Sequence, residues 1–263
     1  MKRSMEEKLD WIRSPKRPNI DDIISGVFTD FVELHGDRLY GEDHAMCAGI
    51  ARLGDMPVTV LGQRRGHSTQ QNIDANFAMA HPEGYRKALR LAHQAEKFSR
   101  PIVCIVDTPG AFCGVDAEER GQGEAIARCL YEFMQLKTPV VSIITGEGGS
   151  GGALALATAN EVYMLTDAIY SVISPRGCAS ILWKDASREI EAAEALKITA
   201  QDMLRFGLID GIIEDSRLES VLYRHIKTTL TEALQRLSGQ NGSQLAQMRY
   251  EKFRSYGIFN DNI

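Results

Sequence analysis

The sequence lacks the features that mark membrane, secreted and nucleic-acid-binding proteins. Within its 263 residues, no apolar run approaches the roughly 18 residues that a membrane-spanning helix needs. The formal net charge of −5 argues against nucleic acid as a general partner, because domains that bind nucleic acid are usually basic. Residues 1–18 are charged throughout and lack the apolar core of a signal peptide. We therefore expect a soluble, cytoplasmic protein with no membrane or nucleic-acid partner.

Cysteine and histidine are present, but not in patterns that bind metals. The five cysteines form no C-x-x-C pair, and the six histidines include no H-E-x-x-H motif. An odd, dispersed set of cysteines is typical of free thiols in a reducing compartment. The sequence predicts no metal site in this chain.

What is present indicates an α/β protein of ordinary composition, with 44% hydrophobic and 25% charged residues. Strand-then-helix units recur three times between Ala45 and Ala157, which predicts a parallel or mixed sheet with helices outside it. We expect an N-terminal arm over residues 1–18 and one domain over residues 19–257.

Several local patterns give more detailed expectations. Ala45–Leu53 and Pro57–Gly62 are predicted to pair as a hairpin. Apolar residues at helical spacing predict a helix from the Asn19 cap to about Gly36. Residues 63–80 are polar and contain glycine, and a loop of that length in a compact domain is usually functional.

The most informative stretch is Val140–Ala157, where a buried strand is followed by a glycine-rich turn and then a helix. Glycines let the backbone approach a ligand closely, and the first helical turn presents free amides with the helix dipole behind them. Such a turn favours a phosphate, a carboxylate or a developing oxyanion. The alternative is a turn that is rich in glycine only because a helix packs tightly on a sheet.

Two motifs in this stretch each match the pattern of a known enzyme class. Gly146-x-Gly148-x-x-Gly151 fits a dinucleotide fingerprint with Asp167 as the ribose-binding acid, although that fingerprint usually occupies the first strand–helix turn. Gly148-x-Ser150-x-Gly152 fits the nucleophile elbow of a serine hydrolase. The hydrolase would need His225, which lies on a predicted exposed helix, as its base.

The end of the preceding strand gives a further alternative. Asp107-x-x-Gly110 matches the phosphate-sensing tetrad of a GTPase, but no G-x-x-x-x-G-K-[ST] run occurs, so that class is excluded. Asp107 is better interpreted as a structural acid, and Glu118, Glu119 and Arg120 as a solvated helical turn. An oxyanion hole without a general base suits enolate chemistry in which the substrate or the cofactor moves the proton.

Several longer motifs, in the same order, resemble the α subunit of the bacterial acetyl-coenzyme A carboxylase carboxyltransferase family. The resemblance extends from about Arg13 to Gly257. It rests on Pro82-Glu-Gly-Tyr-Arg-Lys-Ala-Leu-Arg-Leu, Asp107-Thr-Pro-Gly-Ala, Ala117-Glu-Glu-Arg-Gly-Gln, Gly146-Glu-Gly-Gly-Ser-Gly-Gly-Ala-Leu-Ala, Ser171-Val-Ile-Ser-Pro, Gly177-Cys-Ala-Ser-Ile-Leu-Trp and Arg254-Ser-Tyr-Gly.

The resemblance implies a crotonase-like fold of stacked ββα units with a C-terminal helical extension. It also implies transfer of a carboxyl group from carboxybiotin, held by a biotin carboxyl carrier protein, to acetyl-CoA, which gives malonyl-CoA for fatty acid synthesis. The implied partner is a β subunit with a zinc ribbon, in an α2β2 assembly, and the zinc belongs to that subunit.

The resemblance also assigns roles to residues. Gly151 and Gly152 match the backbone amides that hold the biotin carbonyl oxygen as an oxyanion hole. The neighbouring positions are then expected to bind substrate or carboxybiotin, namely Gly148, Gly149, Ser150, Gly110 and Ala111.

The chain departs from the family pattern at several positions, which are His67, Phe112, Cys113, Asp116, Gly123 and Arg176. The glycine turn itself is intact. These departures leave open a paralogous subunit that acts on another acyl-CoA or in a secondary-metabolite pathway.

Overall fold

The computed structural model describes residues 3–257, and a mixed sheet of eight strands runs through them. The strand order is β1-β2-β3-β4-β5-β6-β8, and β7 pairs with the end of β5. The first three strands are antiparallel neighbours and the remaining pairs are parallel. The strands are β1 Thr29–Glu33, β2 Met46–Leu53, β3 Met56–Gln63, β4 Ile102–Thr108, β5 Val140–Gly149, β6 Glu161–Leu165, β7 Ile169–Ser171 and β8 Gly211–Ile213.

Helices pack around the sheet, and helices also form the C-terminal part of the described chain. They are α1 Met5–Arg13, α2 Ile20–Val27, α3 Thr69–Asp74, α4 Pro82–Lys97, α5 Val115–Glu119, α6 Gln122–Gln135, α7 Ser150–Ala157, α8 Pro175–Trp183, α9 Glu189–Leu196, α10 Ala200–Arg205, α11 Glu219–Ser238 and α12 Gly242–Ser255. Proline at the first position of α4 suits a helix start, since the amide it lacks would have no partner in the helix.

The core lies around the two central parallel strands. Every residue of β4 is buried, as is β5 from Val140 to Gly146. Strands covered on both faces need continuous apolar sequence, which these strands have. The hairpin of β2 and β3 forms as expected, with Leu53 opposite Met56. The predicted mixed sheet with outer helices is thus confirmed.

The helix predicted to run from Asn19 to Gly36 is wrong in its second half. Helix α2 ends at Val27, and β1 then pairs antiparallel with β2. Phe31 and Leu34 pack against the core, but from an extended segment of the chain. The ring of Phe31 occupies the space that a side chain on Gly49 would need. Their spacing also fits a helix, so only pairing with β2 distinguishes the two structures.

Three further boundaries differ from the expectation. The segment of residues 63–80 contains α3 and a 3-10 turn rather than a long loop. The helix predicted after Ala117 breaks at Gly121, whose φ of +84° lies in the left-handed region. Strand β5 continues to Gly149, because Gly148 and Gly149 pair with β7.

Candidate active site

The glycine-rich turn joins β5 to α7 through an unusual backbone conformation. Gly149 is extended, while Ser150 has a φ of +52°, a left-handed value that is uncommon for a residue other than glycine. No side chain of residues 3–257 caps the start of α7 by a hydrogen bond. The first-turn amides of α7 therefore keep their donors available, with the positive end of the helix dipole behind them.

The turn is in direct contact with the loop that follows β4. A methyl group built on Gly152 would lie 2.7 Å from the amide nitrogen of Ala111 and 2.8 Å from the carbonyl carbon of Gly110. A methyl group on Gly149 would overlap the carbonyl group of Pro109. The structure therefore brings together the seven residues that the sequence singled out, Gly148, Gly149, Ser150, Gly151, Gly152, Gly110 and Ala111.

These residues differ in accessibility. Ser150 is exposed and Gly151 is half-buried, whereas Gly152 is buried. A methyl group on Gly151 would meet only Ile126, at an ordinary distance of 3.5 Å. Close packing explains why position 152 is glycine, but it does not explain the glycine at position 151.

A pocket of about 420 Å³ opens beside the turn, and Ser150 and Gly151 form part of its wall. The rest of the lining is mostly apolar and includes Leu154, Tyr170, Ile198, Met203, Phe253 and Tyr256. The ring of Tyr170 also fills the space of the missing Gly148 side chain, since a methyl group there would lie 2.9 Å from Tyr170 Cδ2. Pockets of this size and lining are typical of small-molecule sites.

Thr108 fixes the loop after β4, and sequence reasoning did not identify it. Its hydroxyl donates a hydrogen bond to the Gly110 carbonyl at 2.7 Å and accepts one from the Gly110 amide at 3.1 Å. These bonds hold Gly110 at a φ of +149°, which favours glycine. Threonine followed by proline and glycine at a strand end was the available signal.

Asp107 has the role of a structural acid. One carboxylate oxygen accepts a hydrogen bond from the Glu147 amide at 3.1 Å, and the other accepts from the Arg17 guanidinium. Burial by itself raises the pKa of Asp107, but the charges of Arg17 and Arg65 outweigh it and hold the pKa below its ordinary value. An ionised carboxylate with both oxygens engaged is poorly suited to act as a general base at this site.

The structure does not support the two other enzyme classes. Within residues 3–257, the hydrogen bonds give Ser150 no histidine or carboxylate partner, and the His225 ring instead contacts the Glu214 carbonyl at 3.1 Å. Asp167 pairs with Arg3 and with Lys8, the latter at 3.0 Å, so its carboxylate is already engaged. The described part of the chain therefore assembles neither a serine triad nor a ribose-binding acid.

The expectation for the turn after Ala117 was wrong for one residue. Glu118 and Glu119 are exposed, as expected for a solvated turn. Arg120, however, donates to the buried carboxylate of Glu83 at 2.9 Å and stacks on Tyr40. It thus ties the start of α4 to the end of α5.

Three departures from the family pattern lie on the loop after β4 and on the helix α5 that follows it. Phe112 stacks on His81 with ring centroids 4.5 Å apart, and Cys113 is exposed. Asp116 lies on α5 and pairs with Arg120 at 3.2 Å. The loop thus keeps its backbone contact with the turn while its side chains differ.

The other departures lie on other segments of the chain. A methyl group on Gly123 would meet no atom within 4 Å, and Arg176 is exposed in the first turn of α8. His67 bridges the Pro15 carbonyl and the Asp22 carboxylate.

Two other kinds of site are absent from the described part of the chain. No group of three or more histidine, cysteine, aspartate or glutamate side chains in residues 3–257 could hold a metal ion. Among those residues, no helix combines the length and the apolar character needed to cross a bilayer.

Solved structures with a similar fold are carboxyltransferases and related enzymes. Transcarboxylase 12S, determined with methylmalonyl-coenzyme A and methylmalonic acid bound, matches with a TM-score of 0.71 at 19% identity, over 87% of this chain but only 43% of that chain. A Pseudomonas malonate decarboxylase hetero-tetramer in complex with coenzyme A matches with a TM-score of 0.66 at 17% identity, over 82% and 89% of the two chains. These neighbours confirm the crotonase-like fold.

Curated sequence relatives are much more similar. Acetyl-coenzyme A carboxylase carboxyl transferase subunit alpha of Clostridium perfringens (strain ATCC 13124) is 55% identical over 248 residues, which are 92% of each chain. The protein of the same name from Listeria monocytogenes serotype 4a (strain HCC23) is 51% identical over 258 residues, covering 96% of this chain and 81% of that protein. The model of the family described as acetyl co-enzyme A carboxylase carboxyltransferase-like matches residues 2–257. The resemblance inferred from the motifs is confirmed, and the chain belongs to this carboxyltransferase family.

Proposed function

We propose that this carboxyltransferase subunit provides the carboxybiotin half of a two-subunit active site that converts acetyl-CoA to malonyl-CoA for fatty acid synthesis in the cytoplasm. The family assignment and the names of the relatives support this activity. The observation that carries the assignment of the half-site is the uncapped start of α7 beside an apolar pocket.

The residues at the turn suit the carbonyl end of a biotin ring. The Gly151 and Gly152 amides are placed in the first turn of α7, where two backbone donors and the helix dipole favour negative charge on one oxygen. The adjoining apolar pocket of about 420 Å³ has the character needed for the ring atoms that carry no polar group. The residues present therefore fit the group that the family implies.

Each flanking residue has a mechanical role in this proposal. Ser150, at a φ of +52°, turns the chain so that the helix starts directly at the end of β5. The backbone of Gly110 and Ala111 packs against Gly152, and the Thr108 hydroxyl fixes Gly110 by a hydrogen bond. Preorganised donors of this kind stabilise developing charge without rearranging during the reaction.

Among residues 3–257, we assign no proton-transfer group at the turn. Both oxygens of Asp107 are engaged, and its pKa is lowered. Carboxybiotin, when bound, supplies the carboxyl group and the acceptor for the acyl proton. This chemistry needs a second half-site for the acyl-CoA, which we assign to a zinc-ribbon β subunit in an α2β2 complex served by a biotin carboxyl carrier protein.

A second candidate is a subunit of the same kind that accepts another acyl-CoA. It is favoured by the position of Phe112 and Cys113, which lie two and three residues after Gly110 on the loop that contacts the turn. Changes there alter the surface beside the site but leave the turn unchanged.

The test is reconstitution with the β-type subunit from the same organism. The purified complex should form malonyl-CoA from acetyl-CoA and a carboxylated carrier protein, while the chain alone should form none. Malonyl-CoA formation by the isolated chain would refute the half-site assignment. A preference for propionyl-CoA or a longer acyl-CoA at equal concentration would establish the second candidate in place of the first.

A further inference from the structure

Arg17 lies buried behind the glycine turn, although it comes from the segment preceding the main domain. Only 4% of the residue is exposed. Its Nε donates to the Ile12 carbonyl at 2.7 Å, and its Nη2 donates to Asp107 Oδ2. A buried arginine is stabilised by such charge-assisted bonds, so this contact fixes both partners firmly.

Asp107 connects Arg17 to the turn through a second hydrogen bond. Its Oδ1 accepts the Glu147 amide hydrogen at 3.1 Å, and Glu147 immediately precedes Gly148. Asp107 is itself 2% exposed and is the penultimate residue of the core strand β4. A chain of bonds therefore runs from Arg17 through Asp107 to the backbone of the turn.

Arg65 provides a parallel connection between the same two segments. It donates to Glu147 Oε2 at 2.7 Å and to the Ile12 carbonyl at 3.2 Å. Arg17 and Arg65 thus converge on one carbonyl at the end of α1. At their other ends, both arginines hold Glu147. Arg65 binds the side chain of Glu147, and Arg17 holds the backbone amide of Glu147 indirectly, through Asp107.

Gly146 fits this arrangement only because it has no side chain. A methyl group there would overlap the Arg17 guanidinium and lie 2.5 Å from Asp107 Oδ1. This first glycine of the run is therefore required by the Arg17–Asp107 pair. Its role differs from that of Gly151, where a methyl group would have room.

We propose that Arg17 is a positioning residue for the active-site turn and that the N-terminal segment through Arg17 is part of the catalytic unit. The proposal rests on the proposed function for its kinetic prediction. Its structural prediction is that, without Arg17, the backbone from Gly146 to Gly152 becomes more mobile while the rest of the sheet does not.

The test uses Arg17→Lys and Arg17→Gln in the reconstituted two-subunit complex. Lysine keeps a positive charge beside Asp107 and should fold, but an ammonium group cannot hold the aspartate and the Ile12 carbonyl in the same fixed fork. We expect kcat to fall by about 10-fold for lysine and about 100-fold for glutamine, as misplaced reacting groups usually cause. The KM for acetyl-CoA should stay unchanged, because that substrate occupies the other half-site.

Arg249→Gln is the matched control. Arg249 is also buried, but it bonds the Met134 and Thr138 carbonyls and Asn160, and within residues 3–257 none of these three is hydrogen-bonded to residues 146–152. Its replacement should lower the melting temperature while the assembled protein keeps its kcat. An equal loss of kcat in the Arg249→Gln complex would overturn the positioning role, since any buried arginine would then suffice.

Hydrogen–deuterium exchange separates this proposal from the proposed function. Exchange in a peptide covering residues 146–152 should be faster in Arg17→Lys than in the wild-type complex, with β2 and β3 unchanged. If the wild-type complex forms no malonyl-CoA, the proposed function fails, yet faster exchange in the variant still supports the positioning role. Unchanged exchange in Arg17→Lys would refute that role, whatever the activity.

Discussion

Gly152 rests directly on Ala111, so that a methyl group on the glycine would lie 2.7 Å from the alanine amide nitrogen. From the sequence alone, a larger residue at position 152 is expected to lower turnover and to change stability far less. The contact with Ala111 predicts the opposite, namely that such a residue lowers stability more than it lowers turnover. Gly152→Ala should cost about 1–3 kcal/mol of unfolding free energy by overpacking.

The measurement is a melting curve together with an assembly assay on the same protein. Melting temperature, binding to the β-type subunit and carboxyl transfer should all decline in Gly152→Ala. A variant that melts at the wild-type temperature and has lost only turnover would show that Ala111 can move aside without a loss of stability. In that case the glycine would serve the substrate directly.

Gly151 allows the amide to be tested separately from the packing. Gly151→Ala adds a methyl group at an ordinary 3.5 Å from Ile126 and keeps the amide hydrogen, so turnover should stay within about 3-fold of wild type. Gly151→Pro removes that hydrogen in the first turn of α7, where an amide has no partner within the helix. Loss of one oxyanion donor predicts a fall in kcat of about 10²–10³.

The comparison is valid only between variants that fold and assemble equally well. Circular dichroism and complex formation should therefore be measured for both before kinetics. If assembled Gly151→Pro protein turns over at the rate of Gly151→Ala, the Gly151 amide does not stabilise the oxyanion.

Tyr85 offers a prediction about the layer beneath the turn. Its hydroxyl is fully buried and finds no hydrogen-bond partner among residues 3–257. An unpaired buried hydroxyl is unfavourable, so Tyr85→Phe should raise the free energy of unfolding by about 1 kcal/mol. Urea denaturation of both proteins measures the difference.

Tyr163→Phe is the control for this change. The Tyr163 hydroxyl donates to Glu161 at 2.5 Å and accepts from Arg236 at 2.8 Å, so its loss should destabilise the protein. A lower stability for Tyr85→Phe as well would mean that a water molecule or a partner group bonds the Tyr85 hydroxyl.

Local pattern was sufficient for the turn but not for what holds it. The strand before it and the apolar helix after it follow from short-range sequence, and both are present, although the strand ends later than predicted. Arg17 lies 90 residues from Asp107, and nothing in the local sequence at either position indicates the other. In the same way, Phe31 fits helical spacing, and only pairing with a distant strand reveals its true conformation.

The end of β5 shows the same limit. Glycines at residues 148 and 149 predict a turn, since glycine weakens strands. They form strand instead because Tyr170 and Ser171 of β7 pair with them. Pairing partners that are supplied by a later segment override local propensity, as they commonly do in sheets.

His67 gives the chain a pH-dependent contact with its N-terminal segment. Its Nδ1 lies 2.6 Å from the Pro15 carbonyl oxygen, and its Nε2 lies 2.7 Å from Asp22 Oδ2. Both partners only accept hydrogen bonds, so only the doubly protonated imidazolium makes both contacts. The bond to Pro15 raises the pKa of His67; partial burial opposes this, and Asp22 adds to it.

The sign of the effect follows from the raised pKa. Stabilisation by His67 is fully present below the unfolded pKa of about 6.5 and is lost as the pH rises through the higher folded value. The stability advantage of wild type over His67→Gln, measured by urea denaturation, should therefore shrink between pH 6 and pH 8 (roughly the range where imidazole titrates). Asp22→Asn should weaken this trend by removing the carboxylate. An advantage that stays constant or grows with pH would show that His67 is neutral in the folded protein and bonds only one of its two partners.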